Sequence, residues 1–273
     1  MKKIFDCVTF FDEDILLEVR LNILKDVVDF FIIVEAKEDH QGKSKNLNFE
    51  LDRYIEFKDK IIYRVIDRLE LNQDTRLPKN WAEGHLRDQF QRNYILKVLN
   101  SINATKDDII IISDLDEIPD PKVLKGLNFD KFRIGICEQK LFYYKFNLIQ
   151  PNFKWYGSRI CKFKNLKTPQ YIRNLKVNKK IFNFINNIKI IKNCGWHFSY
   201  LKTPELIIKK LESFAHSEKN VDAIKNIDEI KKKINSGLDL ETGKKLFFKI
   251  ENEKILPDYL NTNRKKYQDW IAE

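Results

Sequence analysis

Residues 109–112 are four consecutive isoleucines, and the acidic stretch SDLDE at 113–117 follows them directly. This apolar run is too short to cross a bilayer and too apolar for an exposed strand, so it predicts a strand buried on both faces of a parallel α/β sheet. Ligands bind beyond the carboxyl ends of the strands in such sheets. Side chains two positions apart in an extended chain point to the same side. We therefore expect Asp114 and Asp116 both to reach one hard cation through oxygen.

The competing interpretation of this stretch is a solvated acidic turn after a core strand. A D-x-D tripeptide alone is weak evidence, because acidic turns are common. The full context of buried strand, D-L-D-E and Pro119 is rarer and favours a metal or nucleotide site.

The first half of the chain has the pattern of a nucleotide-binding α/β sheet. Leu17, Leu21 and Leu24 recur at helical spacing, and residues 83–100 carry an apolar stripe that predicts a second helix. The predicted strands are 4–11, 28–36, 61–66 and 109–112. Strands that alternate with helices in this order predict parallel pairing.

After Pro121 the segments become aromatic and alternating, which indicates mixed or antiparallel additions to the sheet. The predicted strands of this half are 132–137, 141–146, 155–163 and 188–192. Helices are predicted at 206–216 and 224–235, the second ended by Gly237. We therefore expect one compact domain in two halves, a nucleotide-sugar-binding half at 1–121 and an acceptor-binding half at 122–273.

The charge balance favours anionic partners. Lys and Arg exceed Asp and Glu by 50 to 40, a net charge of +10. The basic residues are dispersed and no nucleic-acid-binding module accompanies them, so no nucleic acid is expected as a partner. The same positive charge suits a peripheral contact with an anionic membrane.

Cysteines and the N-terminus bear on location. The four cysteines have neither C-x-x-C nor zinc spacing, so we expect buried free thiols and a reducing compartment. Asp6 interrupts the apolar residues near the N-terminus, and neither a signal peptide nor a membrane span is predicted. These features predict a cytoplasmic protein, with the inner face of the membrane as the place of any peripheral contact.

Two further regions are candidates for donor binding. Glu35 lies near the end of the second predicted strand, where it suits a ribose or base or merely ends the strand. In the loop that follows, Lys43 or Lys45 suits a diphosphate. On the 83–100 helix, Arg87 and Arg92 are candidate anion contacts, and a salt-bridged helix surface is the alternative.

Two aromatic clusters suit a sugar acceptor. Trp155 lies close to Arg159, and Trp196 precedes His197 in the segment 194–200. Aromatic faces beside polar donors suit sugar rings. His197 is a candidate metal ligand or general base, and a buried structural histidine is the alternative.

The chain lacks a P-loop, a G-x-G-x-x-G and a G-x-S-x-G motif. Its segments instead resemble glycosyltransferase family 17, in family order from the first strand to about residue 216. The matching segments are FDC at 5–7, FFDE at 10–13, LEVRLN at 17–22, VVDFFIIVEA at 27–36, QGK at 41–43, RDQFQRN at 87–93, ISDLDEIP at 112–119, GWHFS at 195–199 and SFAH at 213–216.

The resemblance implies a GT-A-like fold and an inverting, metal-dependent transfer, typically of N-acetylglucosamine from UDP-GlcNAc to a glycan hydroxyl. Carried over, Asp116 would ligate Mn²⁺ or Mg²⁺ and Asp114 would contact the metal or the ribose. Glu138 and His197 are the candidates for the base that takes the hydroxyl proton, and His197 is alternatively a third metal ligand.

The animal enzymes of this family are membrane-anchored and act on N-glycans, and we expect the acceptor of this chain to differ from theirs. Here we expect an acceptor in a surface polysaccharide, a lipooligosaccharide or a viral glycan. Two other classes compete with this prediction: a nucleotidyltransferase or phosphohydrolase that uses the same carboxylates, and a non-enzymatic basic binding module.

Overall fold

Parallel strands with helical crossovers form the first half of the sheet, as the segment order predicts. The computed structural model describes residues 2–71, 83–213, 226–250 and 252–273. The strands are β1 Ile4–Phe10, β2 Phe30–Ala36, β3 Ile61–Ile66, β4 Ile109–Ser113, β5 Glu117–Ile118, β6 Ile134–Tyr143, β7 Leu148–Lys162, β8 Ile188–Ile191, β9 Trp196–Ser199 and β10 Phe248–Lys249. The α-helices are α1 Asp14–Leu24, α2 Glu83–Ser101, α3 Pro121–Lys125, α4 Pro169–Arg173, α5 Lys180–Ile185, α6 Pro204–Ser213, α7 Ile227–Ser236 and α8 Asp258–Thr262, and short 3-10 helices span Leu51–Phe57, Phe163–Asn165, Glu253–Ile255 and Arg264–Trp270.

Within the described residues the strands join in one sheet in the order β3-β2-β1-β4-β7-β6-β9-β5, with β10 beside β7 and β8 beside β6. The pairs among β1 to β4 are parallel. The strands after residue 121 add antiparallel pairs at β4–β7 and β6–β7 and parallel pairs of β6 with β8 and β9. The α/β class with mixed additions is thereby confirmed, while the division at residue 121 stays a prediction.

The isoleucine strand β4 is buried on both faces, as predicted. Ile109 and Ile111 belong to one apolar cluster and Ile110 and Ile112 to another, and all four are at most 1% exposed. Helix α1 contributes to the first cluster and α2 to the second. Helices therefore cover both faces of the sheet, and β4 lies at its centre.

Several boundaries differ from the prediction, and β7 begins at Leu148, well before the predicted strand 155–163. The predicted strands 132–137 and 141–146 are one strand, β6, because register shifts on either side of 138–140 carry the polar residues through the ladder. Helix α7 begins at Ile227 after the cap residue Asn226, and Gly237 ends it with a left-handed φ of 63°. The predicted ends of the neighbouring helices at 214–216 and 224–225, including His216, lie outside the described residues.

The expectation for the cysteines is confirmed, since Cys7, Cys137, Cys161 and Cys194 are all buried free thiols. Burial raises the pKa of the Cys161 thiol to about 12. In the described part of the chain, no helix has both the length and the apolar content needed to cross a membrane.

Glu18 of α1 links the first half of the chain to the C-terminal segment through hydrogen bonds that stabilise the fold. Its carboxylate accepts hydrogen bonds from the hydroxyls of Tyr267 (2.8 Å) and Tyr259 (3.2 Å) and pairs with Lys266. Burial works to raise its pKa, but the bonds from Lys266 and Tyr267 outweigh burial and lower the pKa. Glu18→Gln is expected to lower the unfolding free energy by about 1 kcal/mol at pH 7.

The contribution of Glu18 to the unfolding free energy decreases at acidic pH. Because the folded-state pKa of Glu18 lies below the unfolded value of about 4.3, its contribution is complete above that value and is lost as the pH falls through the folded pKa. Urea titrations of both proteins at pH 7 and near pH 3 check this, and a stability difference that stays constant across these pH values would contradict it.

Candidate active site

A cavity of about 360 Å³ opens where β1 and β4 reach their carboxyl ends. Residues of α2, β7, β9 and α6 complete its wall. Its lining consists of Thr9, Phe10, Phe11, Glu13, Glu38, His40, Lys45, Asp88, Gln91, Arg92, Asp114, Leu115, Asp116, Trp155, His197, Ser199, Tyr200 and Lys210. The structure therefore brings the acidic turn together with candidates from both halves of the chain.

Asp116 and His197 form the central polar pair of this cavity. The Nε2 atom of His197 lies 3.4 Å from an Asp116 carboxylate oxygen. Burial disfavours the charged imidazolium, but the Asp116 carboxylate outweighs burial and raises the pKa of His197. For Asp116, burial is likewise opposed and exceeded by His197, so the pKa of that carboxyl is lowered.

The rings around His197 fix its orientation. The indole of Trp155 lies with its centroid 4.4 Å from the imidazole, and its N–H donates to Glu117 at 2.7 Å. The Nδ1 atom of His197 is buried and has no hydrogen-bond partner among the described residues. A buried nitrogen in this condition is suited to a partner that a substrate supplies.

Asp114 is held by two arginines. Arg92 donates to one carboxylate oxygen at 3.0 Å, and Arg173 of α4 donates to the other at 2.7 Å. Burial works to raise the pKa of Asp114, but Arg173 and Arg92 outweigh it and hold that pKa far below its usual range. Arg173 also bonds the fully buried Glu117 at 2.6 Å, so it fastens both ends of the acidic turn.

Arg20 of α1 fixes the main chain of the acidic turn from the buried side. Its guanidinium forms a two-point ion pair with Asp6 at 2.6 Å per bond, and both side chains are fully buried. Its remaining nitrogen donates to the carbonyls of Asp114, Leu115 and Glu117 at 3.3, 3.2 and 2.7 Å. The direction of the Asp114 and Asp116 side chains therefore depends on a buried cation from the first helix.

These residues fit a divalent cation only in one mode. Among the described residues, no cluster of three or more His, Cys, Asp or Glu is arranged to hold a metal by itself. Both oxygens of Asp114 are already bonded to arginine, so of the three predicted metal ligands Asp116 and His197 remain available. Mg²⁺ is commonly held by one or two carboxylates together with substrate phosphates, and this donor set fits that arrangement.

Three of the predicted donor contacts lie outside the cavity wall. Glu35 is fully buried and accepts from Lys45, from Tyr63 at 2.9 Å and from two loop amides, so it anchors the loop after β2. Lys43 is exposed, while Lys45 of the same loop lines the cavity. Arg87 packs over Gly42 and lines a separate cavity of about 510 Å³. Their donor-binding roles stay predictions.

Three other candidates likewise do not line the cavity. Arg159 is 4% exposed and donates to backbone carbonyls, among them that of Ile172 at 3.1 Å. The indole N–H of Trp196 donates to the carbonyl of Ile255 at 2.6 Å within the core. Glu138 pairs with Lys154 at 3.1 Å and is absent from the cavity lining. The predicted acceptor and base roles of these three residues stay predictions.

Sequence reasoning missed Arg173 and Lys210. Arg173 reaches the site from a helix that follows β7 by a short connection, and no local motif marks it. Lys210 lies on the predicted helix α6, where its spacing indicates only a basic helix surface. The one signal in the sequence was the excess of positive charge in the second half, which does not single out a residue.

Comparison with known proteins agrees with the segment resemblance. The family model described as Glycosyltransferase family 17 matches residues 1–248. Curated relatives from Rattus norvegicus and Homo sapiens, both named β-1,4-mannosyl-glycoprotein 4-β-N-acetylglucosaminyltransferase, are 24% identical over 241 residues. The match covers 78% of this chain and 43% of each relative, so the chain spans less than half of their length. Among solved structures, the inositol-1-phosphate CTP transferase from T. maritima aligns over 87% of this chain and 98% of its own, at 12% identity and a TM-score of 0.37.

Proposed function

The chain belongs to glycosyltransferase family 17, and we propose that it is a metal-dependent, inverting glycosyltransferase. In this proposal it moves a sugar, N-acetylglucosamine from UDP-GlcNAc, to a hydroxyl of a glycan acceptor. The names of the curated relatives, which are N-acetylglucosaminyltransferases, support the type of sugar. The acceptor class is the one expected from the sequence, a surface polysaccharide or lipooligosaccharide built on the cytoplasmic side.

One observation carries this proposal: Asp116 and His197 meet in a cavity at the strand ends that is also lined by cationic side chains. Arg92, Lys45 and Lys210 are the cations of that wall. A nucleoside diphosphate needs positive charge around its phosphates, and a cation shared between protein carboxylate and phosphate completes it. Asp116 would hold Mn²⁺ or Mg²⁺, whose charge stabilises the leaving diphosphate.

The proton of the acceptor hydroxyl is assigned to His197, because it is the base candidate that reaches the cavity. Its unpartnered Nδ1 would accept the proton, and the Asp116 carboxylate would stabilise the imidazolium that forms. Ligation of the cation by His197 is the competing role. Asp114, neutralised by Arg92 and Arg173, would set the position of the acidic turn and not carry free charge.

Calorimetry of UDP binding with and without Mn²⁺ tests the proposal. We expect UDP to bind more tightly by about tenfold or more when Mn²⁺ is present, because the cation adds direct bonds to the diphosphate. A screen of UDP-, GDP- and CMP-sugars for metal-dependent hydrolysis then identifies the donor. Absence of UDP binding in both conditions would contradict the proposal, and release of monophosphate or pyrophosphate without sugar transfer would favour a nucleotidyltransferase or phosphohydrolase.

A further inference from the structure

Helix α5 presents an apolar stripe to solvent. Ile181, Phe184 and Ile185 are 79%, 87% and 73% exposed, among the most exposed large hydrophobic side chains of the described residues. Their spacing of three and four positions places them on one face of the helix. Single exposed apolar residues are ordinary, but three large ones side by side mark an interaction surface.

The stripe is held outward by the residues on the other side of α5. Asn183 is buried and donates to the carbonyls of Lys176 and Val177 at 3.2 and 3.1 Å. The segment is also fixed at both ends, since Leu175 and Ile191 are buried in the two sheet-packing clusters. The outward direction of the apolar face is therefore fixed by the packing of α5 and of the residues that flank it.

The stretch of chain on both sides of α5 carries charge of one sign. Residues 139–204 contain 14 Lys and Arg and no Asp or Glu, although the whole chain has a net charge of only +10. The lysines nearest to the stripe in the sequence are exposed: Lys176, Lys179, Lys180, Lys189 and Lys192. A large apolar stripe bordered by lysines is the composition of helices that lie in the interface of an anionic bilayer.

We propose that α5 is a membrane-docking element that inserts Ile181, Phe184 and Ile185 into the interface of an anionic bilayer while the surrounding lysines bind lipid phosphates. A second copy of this chain is a poorer occupant, because apposing two such stripes would also appose two sets of lysines. A helix that lies in the interface buries only its apolar face, to a depth of roughly 5–10 Å, and the six residues of α5 are far too few for a span. This inference is independent of the proposed sugar transfer.

Vesicle flotation tests the proposal. The full chain is incubated with vesicles of phosphatidylcholine alone or with about one third phosphatidylglycerol, at low and high salt. We expect about tenfold or stronger partitioning to the anionic vesicles, reduced by salt. The triple variant Ile181→Ser, Phe184→Ser, Ile185→Ser and the double variant Lys179→Glu, Lys180→Glu should each lose this binding by about tenfold or more.

Matched control variants distinguish docking through α5 from nonspecific hydrophobic adsorption to vesicles. Ile55→Ser and Phe248→Ser remove exposed apolar side chains elsewhere, 56% and 46% exposed, and should bind vesicles like the unchanged protein. Since the replaced residues are exposed, all variants should keep the thermal midpoint and the UDP affinity of the parent. Equal vesicle binding by the triple variant and the parent would overturn the proposal.

A spectroscopic measurement distinguishes insertion from adsorption. The native cysteines are buried, so an environment-sensitive dye attached to Phe184→Cys reports on the stripe alone. A blue shift with anionic vesicles and none with phosphatidylcholine is expected. No shift with either vesicle would overturn insertion, as would self-association of the parent in sedimentation that the triple variant abolishes while neither protein binds vesicles.

Discussion

Asp116→Asn is expected to abolish sugar transfer while leaving the fold intact. The substitution keeps the shape of the side chain and removes the charge that would hold the cation and that raises the pKa of His197. The side chain is partly exposed in the cavity and pairs with His197, so the substitution removes no contact of the apolar core. Loss of several kcal/mol of transition-state stabilisation corresponds to a decrease in turnover of about 10³-fold or more.

Transfer assays with the identified UDP-sugar, together with thermal melts, check this prediction. Asp258→Asn is a matched control, since that carboxylate is exposed and pairs with Lys122 at 2.8 Å far along the chain. The control should retain full activity. Unchanged turnover of Asp116→Asn would remove the metal role from this residue.

His197→Gln resolves the two roles of the histidine in the same experiment. If His197 takes the proton, the variant loses turnover but keeps the Mn²⁺ dependence of UDP binding. If it ligates the cation, that dependence weakens in His197→Gln as it does in Asp116→Asn. Calorimetry therefore separates the two roles even where both variants are inactive.

The parts of the fold that follow from local pattern were predictable from the sequence. The four isoleucines of β4 predict burial on both faces because no polar residue interrupts them, and the span 61–66 of β3 agrees with the structure to the residue. The joining of two predicted strands into β6 was not predictable, because register shifts depend on the neighbouring strand β7.

The partners of the acidic turn were not predictable, because they are brought there by tertiary structure. Arg173 reaches Asp114 across 59 positions of the chain, and no periodicity in the sequence records such a contact. The position of Glu35 near a strand end suits either a ligand contact or the end of a strand, and in the structure its oxygens accept from amides of the loop after β2. Proximity to a strand end identifies the edge of the sheet, while the direction of each side chain depends on the packing around it.

Arg20→Met is expected to lower the unfolding free energy by about 3–5 kcal/mol. Methionine fills a similar volume without charge, so the variant leaves the Asp6 carboxylate buried and unpaired and the carbonyls of the acidic turn without their donor. An uncompensated buried charge accounts for most of the loss. Urea titrations at pH 7 measure the difference.

Two variants show whether the cost comes from the orphaned partners. Arg53→Met removes a half-exposed arginine that pairs with Asp14 at 2.6 Å, and it should cost at most about 1 kcal/mol. Asp6→Leu combined with Arg20→Met removes both buried charges and should recover a large part of the lost stability, since paired apolar replacements are often neutral. The carbonyls of Asp114, Leu115 and Glu117 stay without their donor in that double variant. UDP binding should therefore be weaker than in the parent both in Arg20→Met and in the double variant, even where stability returns. A cost for Arg20→Met no larger than for Arg53→Met would contradict the role of Arg20.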